Sequence, residues 1–119
     1  LYAWSGNGEE QELSRTFGMA DAAWQRAGRQ QTPYRMGGFW YTLADNGQQR
    51  LYDYVYEYLA IAGPEIATMM AESVHRSSAE SVLAALDNAE AAGCEELFMV
   101  PATADLSEVE RLSELLAQR

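Results

Sequence analysis

The apolar residues of the chain recur with helical spacing in five segments. In the first, Leu13, Phe17, Ala20 and Trp24 follow one another at steps of four, three and four, so they share one side of a helix. Gly28 comes after this stripe and predicts a left-handed helix cap. The same spacing predicts four later helices, whose apolar stripes begin at Leu51, Ile66, Val82 and Leu106.

Turn and capping residues mark where these later helices begin and end. The sequence Asp45-Asn46-Gly47 turns the chain before the second helix, and Pro64 suits the first turn of the third. Ser77 followed three residues later by Glu80 is a capping-box pattern, which predicts the start of the fourth helix. Gly93 predicts its end.

Three short segments have the composition of strands. Residues 1–4 are apolar, residues 34–43 are rich in aromatic side chains, and residues 97–100 form an uninterrupted apolar run. That run indicates a strand buried on both faces, as in a parallel sheet covered by helices. Gly37 and Gly38 indicate either a bulge in the second strand or a place where another backbone or a ligand comes close. Strands that alternate with helices predict right-handed crossovers and a parallel α/β fold.

Charge and cysteine content narrow the possible partners. The 119 residues suit one domain, and 18 acidic against 8 basic side chains give a formal net charge of -10, with no lysine at all. This charge argues against nucleic acid as a partner. Cys94 is the single cysteine and His75 the single histidine, so we expect neither a disulfide nor a metal site. The chain has no membrane-spanning run and no secretion signal, and we expect a cytoplasmic location.

From Ala23 onward, three signatures follow one another: AWQRAGRQQTPYRMGGFWYTL, YEYLAIAGPEIATMMAES and SSAESVLAALDNAEAAGCEELFMVPATADLSEVERLSELL. Their order and spacing resemble the C-terminal third of the luciferase-like monooxygenases, flavin- or deazaflavin-dependent oxidoreductases built on a (β/α)8 barrel. The opening LYAWSGNG is similar to a strand end of that family. Tyr2 and Ala3 stand where the family pattern has aspartate and glycine.

The resemblance implies that residues 1–119 are one partial domain, the last strand–helix units of a (β/α)8 TIM barrel with parallel strands and covering helices. Such a barrel needs about 250 residues, so we expect the chain to be a segment of a longer protein. The intact parent would be an oxidoreductase or monooxygenase that uses FMN or F420 on a small organic substrate, and these residues alone would be inactive. The alternative is a stand-alone, non-catalytic interaction module or pseudo-enzyme that pairs through its exposed sheet edge. Unpaired strand edges predict a homo-oligomer.

Barrels of this type hold their chemistry at the C-terminal ends of the strands, which selects four candidate cofactor-binding residues. Trp4 and Ser5 end the first strand, Tyr41 lies near the end of the second, and Thr103 follows the third. Each has a structural alternative: a packing tryptophan, a capping serine, a core tyrosine and a helix cap. No catalytic residue is identified. We interpret the tyrosines between residues 52 and 58 as packing and interface residues, although they also suit a substrate entrance.

Overall fold

A computed structural model describes residues 1–119 and contains three parallel strands and five α-helices. In chain order the elements are β1 (Tyr2–Trp4), α1 (Glu10–Arg26), β2 (Met36–Tyr41), α2 (Gly47–Leu59), α3 (Pro64–Ser73), α4 (Ala79–Ala91), β3 (Glu96–Pro101) and α5 (Ser107–Ala117), with a 3-10 turn at Ala60–Ala62. This order of strands and helices confirms the predicted α/β class.

The three strands form one open parallel sheet in the order β1-β2-β3. Gly38 of β2 stands opposite Trp4 on one side and Phe98 on the other. The loop after β1 continues along β2, because the backbone N–H of Trp40 donates to the carbonyl of Gly6 over 3.2 Å. No strand pairs with the outer edge of β1 or of β3.

One face of the sheet is covered by α1, α4 and α5. Ala3 packs with Leu13 and Phe17 of α1, whereas Phe39 and Tyr41 pack with residues of α4 and α5. All five of these side chains are almost completely buried. Because burying a large apolar side chain contributes about 1.5–3 kcal/mol, this covered face supplies much of the stability of the fold.

The α2–α3 hairpin packs against part of the opposite face. Leu51 and Val55 of α2 and Ala71 of α3, with Val74 just after it, form a buried cluster around Trp40. This cluster lies near the C-terminal end of β2, since Trp40 is the last residue but one of that strand. The hairpin therefore covers one end of this face and leaves the rest of it open.

The predicted helix ends agree with the structure at two glycines and differ at one serine. Gly28 and Gly93 have φ angles of +75° and +79°, as the left-handed caps require. The predicted capping box at Ser77 is wrong by one residue, because Ser78 caps α4 and pairs with Ser81. The hydroxyl of Ser77 instead donates to the side chain of Gln48 over 3.0 Å, so it is engaged with α2.

The expectation that β3 is buried on both faces is also wrong for this chain. Phe98, in the middle of the run, is 45% exposed. The physical reason is that β3 is an edge strand and that no helix covers Phe98 on the face of the sheet opposite α1, α4 and α5. An uninterrupted apolar run therefore reports the hydrophobicity of both faces, whether or not something covers them.

Candidate functional site

The face of the sheet that the helices leave open is lined by large aromatic side chains. Because successive strand residues point to opposite faces, the residues in register on this side are Tyr2 and Trp4 of β1, Met36, Gly38 and Trp40 of β2, and Glu96, Phe98 and Val100 of β3. We call this surface the open face. Tyr2, Trp4 and Phe98 are each at least 38% exposed. Exposed aromatic residues in contact with one another are a typical signal of a binding surface.

Gly38 allows these rings to lie directly on the sheet. A Cβ atom at this position would lie 3.0 Å from Trp4 Cε3 and would overlap the hydroxyl of Tyr2. The two side chains therefore cross over the backbone of β2 where it has no side chain of its own. The sequence predicts a bulge or the approach of another backbone or a ligand at the glycine pair, whereas the register is continuous and the groups that approach Gly38 are side chains of β1.

A groove runs between the open face and the α2–α3 hairpin. It has a volume of about 500 Å³, and all eight residues that line it are hydrophobic. The sheet contributes Tyr2, Trp4, Trp40 and Val100; the hairpin contributes Tyr54, Tyr58, Leu59 and Met70. The size is within the range of small-molecule sites, and the lining is suited to a ligand with a large apolar surface.

The rings in the groove meet at steep angles. The ring centroids of Trp4 and Trp40 are 4.7 Å apart with an interplanar angle of 72°, and those of Trp40 and Tyr58 are 5.8 Å apart at 69°. Tyr54 stacks on Tyr58 at 6.3 Å and 11°. Edge-to-face pairs of this kind fix the orientation of the rings, so the groove has a defined shape.

The groove carries no ionised group near neutral pH. Burial raises the pKa of the Tyr2 phenol, and the nearby phenol of Tyr58 raises it further. The direction of this shift keeps Tyr2 protonated and neutral. No acidic residue and no arginine lines the groove.

Of the four predicted cofactor-binding residues, Trp4 lines the groove and Ser5, the next residue, does not. Ser5 is buried, and its hydroxyl donates to Glu12 over 2.5 Å and accepts from the backbone N–H of Glu9 over 3.0 Å. Its hydroxyl therefore fastens the start of α1 to the end of β1. Ser5 is not the helix cap, because Glu9 is the N-cap residue of α1 and no side chain caps this helix end.

Tyr41 and Thr103 lie on other surfaces. Tyr41 is buried on the covered face, where its hydroxyl donates to the carbonyl of Glu108 over 3.5 Å, and burial together with Glu108 raises its pKa to about 12. Thr103 accepts a hydrogen bond from the backbone N–H of Asp105 over 3.2 Å. The structure thus does not bring the four candidates together at one site.

Two buried ionic side chains near the strand ends support the loops around the groove. The carboxylate of Glu108 accepts hydrogen bonds from the Thr42 hydroxyl and, over 2.8 Å, from the backbone N–H of Leu43, which ties α5 to the end of β2. Arg76 donates to the carbonyl of Asn7 over 2.7 Å and to Glu9 over 3.2 Å. The hydrogen bonds from Thr42 and Leu43 satisfy both oxygens of Glu108. The hydrogen bonds of Arg76 fix the loop after β1. Both residues therefore hold the chain in place just after a strand end.

Residues of α2 contribute to the groove. The sequence predicts packing and interface roles for the tyrosines between residues 52 and 58, with a substrate entrance as the alternative, and Tyr54 and Tyr58 line the groove. The signal that identifies them is their spacing of four residues, which places them on the same side of α2. Tyr52 and Tyr56 have the same spacing and form a separate stack at 6.3 Å. His75 is exposed, with Nε2 3.3 Å from Glu9 Oε1, and does not contribute to the groove.

Comparison with known proteins identifies no relative of the chain. No family model, no curated protein and no solved structure matches the chain. None of its helices combines the length and the apolar character needed to cross a membrane. No group of three or more His, Cys, Asp or Glu side chains is arranged to hold a metal ion.

Proposed function

We propose that the chain is the carboxyl-terminal portion of a luciferase-like (β/α)8 barrel, an oxidoreductase or monooxygenase that uses FMN or F420 on a small organic substrate. The observation that carries this proposal is the two-sided character of the sheet. Helices cover one face, as on the outside of a barrel, and the other face is apolar and aromatic towards the carboxyl ends of its parallel strands. In such barrels the catalytic residues lie at this end.

The residues present fit the ring of the cofactor and do not fit its phosphate. Tyr2, Trp4 and Phe98 offer exposed aromatic surface to a tricyclic ring. The glycine loop after β1 is closed, because Gly8 is buried against Phe39 and the side chain of Asn7 donates to the carbonyl of Ser73 over 2.9 Å. We therefore assign the phosphate to residues outside this chain.

In this proposal the cofactor, when bound, supplies hydride transfer or oxygen activation. The open face excludes water from one side of the ring and orients it. Since no charged group lines the groove, the face contributes shape and apolar contact, while the groups that move protons belong to the rest of the barrel.

The test is a set of fluorescence titrations of the chain with riboflavin, FMN and F420. Riboflavin has the ring of FMN without its phosphate. We expect riboflavin to bind more weakly than about 100 μM and FMN to bind no more tightly than riboflavin, because the phosphate lacks two or three charge-assisted contacts worth about 3–9 kcal/mol and meets a net charge of -10. Stoichiometric FMN binding at micromolar concentration would show that the chain builds a complete cofactor site, and no ring binding would remove the proposed role of the open face.

Two variants locate the bound ring. Phe98→Ser removes an exposed ring of the open face and is expected to abolish riboflavin binding. Tyr34→Ser is the matched control, since Tyr34 is exposed to a similar extent and precedes β2, outside the three strands that form the open face. Equal losses in both variants would mean that riboflavin binds non-specifically.

The unpaired edges of β1 and β3 favour a second candidate function, a non-catalytic interaction module that pairs through the sheet edge. Either role predicts that the isolated chain associates with itself. Sedimentation at micromolar concentration, combined with thermal unfolding, measures this association. A monomer that melts cooperatively would show that the chain closes its own core and needs no partner strand.

A further inference from the structure

Two tryptophans and a tyrosine meet at the inner end of the groove. We call this group the aromatic corner; it consists of Trp4, Trp40 and Tyr58. The rings of Trp4 and Tyr58 stand at 72° and 69° to the ring of Trp40, which they share as a neighbour. Tyr2 and Phe98 also meet at 72°, so steep ring angles are common to the whole open face. The corner is distinguished by its position between the sheet and the hairpin and by its two tryptophans, whose rings attract cations most strongly among aromatic side chains.

The charge of the chain favours a positively charged group in this corner. The formal net charge is -10, and none of the eight arginines lines the groove. Arg35, Arg76 and Arg119 form ion pairs elsewhere with carboxylates. The surrounding field thus attracts cations, and the faces of Trp and Tyr rings stabilise a cation that has lost water.

The lining of the corner also selects among cations. A primary ammonium has three N–H donors, which lose free energy when they are buried without acceptors. No carboxylate is among the eight residues that line the groove, and the only side-chain oxygens there are the phenol groups of Tyr2, Tyr54 and Tyr58, which are weaker acceptors than a carboxylate. A fully alkylated ammonium has no N–H donor to satisfy, so the corner accepts it without this cost.

We propose that the aromatic corner binds a quaternary ammonium group, the headgroup of the small organic substrate. The description of this cation as a substrate rests on the proposed oxidoreductase function, while its binding does not. The inference concerns recognition only and includes no covalent step.

The test compares three ligands by calorimetric titration of the chain: choline, its neutral isostere 3,3-dimethyl-1-butanol, and the smaller ethanolamine, a primary ammonium. We expect choline to bind about 5- to 30-fold more tightly than the neutral alcohol, the range of a cation–π contribution. Ethanolamine is expected to show no measurable binding. Equal affinity for choline and the alcohol, or no binding of choline, would overturn the proposal.

Variants of Tyr58 separate the cation–π contribution from simple apolar contact. Tyr58 is 63% exposed, so substitution there leaves the core intact. Tyr58→Phe keeps an aromatic ring and is expected to keep choline affinity within about twofold, whereas Tyr58→Leu keeps only apolar surface and is expected to lose at least about fivefold. Tyr34→Leu is the control and should change nothing. If Tyr58→Leu binds choline as well as the original chain, the corner is not the site.

The two proposals fail independently because their probes and variants differ. Loss of riboflavin binding in Phe98→Ser, with choline binding retained, supports both assignments. If riboflavin does not bind the original chain but choline does, the cofactor role of the open face is removed and the cation site stands. The reverse result removes the cation site alone.

Discussion

The two faces of the sheet use the same three strands for different purposes. On the covered face, Ala3, Phe39 and Tyr41 are almost completely buried under helices, and these residues belong to the main packed clusters. On the open face, Tyr2 and Phe98 are each 45% exposed although they are equally large and apolar. Because strand residues alternate between faces, the buried Ala3 lies between the exposed Tyr2 and Trp4. Trp40 is buried on the open face, since the α2–α3 hairpin covers that end of it.

Hydrophobicity alone therefore does not identify which face of such a sheet forms the core. Both faces are rich in apolar side chains, and only the helices decide which face is closed. Large aromatic side chains that the chain leaves uncovered lose the stabilisation that burial gives elsewhere. The contrast between the faces is the reason that we assign stability to one and binding to the other.

We expect the largest difference in the free energy of unfolding between variants of two phenylalanines, one from each face. Phe39→Ala leaves a cavity under α4 and should lower the free energy of unfolding by about 3–5 kcal/mol. Phe98→Ala removes an exposed ring and should cost less than about 1 kcal/mol. Urea denaturation of the two variants measures both values. Similar costs at the two positions would mean that the open face is covered in solution, for instance by a second copy of the chain.

A second comparison concerns pH and the buried Tyr41. Its pKa of about 12 lies above the value of 10.0 expected in the unfolded chain, because burial and Glu108 disfavour the phenolate. The unfolded state therefore loses this proton first as pH rises. The stabilisation is complete below pH 10 and is lost as pH rises to about 12, with a loss of about 2 kcal/mol.

Urea denaturation between pH 9 and pH 12 measures this loss. Tyr41→Phe has no proton to lose and should show a shallower decline over that range. The control is Tyr34→Phe on the exposed surface, which should leave the pH dependence unchanged. A decline that is the same in Tyr41→Phe and the original chain would assign the alkaline loss to other groups.

Local sequence signals predicted the order of the elements because helix stripes, strand composition and glycine caps act over a few residues. Gly28 and Gly93 adopt the expected left-handed conformation for this reason. The site depends on contacts across the chain, which no local signal contains. Trp4 and Trp40 share a face only through the register of β1 against β2.

Glu108 is a second residue whose environment the local sequence does not predict. An acidic residue in the first turn of a helix normally indicates an exposed position that interacts with the helix dipole. Here it is fully buried, because Thr42 and the backbone of Leu43, more than 60 residues away in sequence, donate to its two oxygens. Its burial follows from the packing of α5 against the end of β2 and has no signature in its own sequence neighbourhood.

The adjacent glycines of β2 face opposite sides of the sheet. We expect the smallest difference in stability between their alanine variants. A Cβ at Gly37 would lie 3.1 Å from Cys94 Sγ and 3.4 Å from Leu13 in the packed face, so Gly37→Ala should cost about 1–2 kcal/mol. At Gly38 the new methyl group would meet Tyr2 and Trp4, which are exposed and can move outward. The strain is then offset by the lower entropic cost of fixing alanine in a strand, and Gly38→Ala should change stability by less than about 1 kcal/mol.

The main effect of Gly38→Ala should appear in the groove, because displacement of Trp4 opens the aromatic corner. We expect altered tryptophan fluorescence and loss of choline binding in Gly38→Ala, and neither in Gly37→Ala. If Gly37→Ala weakened choline binding as strongly as Gly38→Ala, the two faces would be coupled through β2, and the division between stability and binding would not hold at the level of single residues.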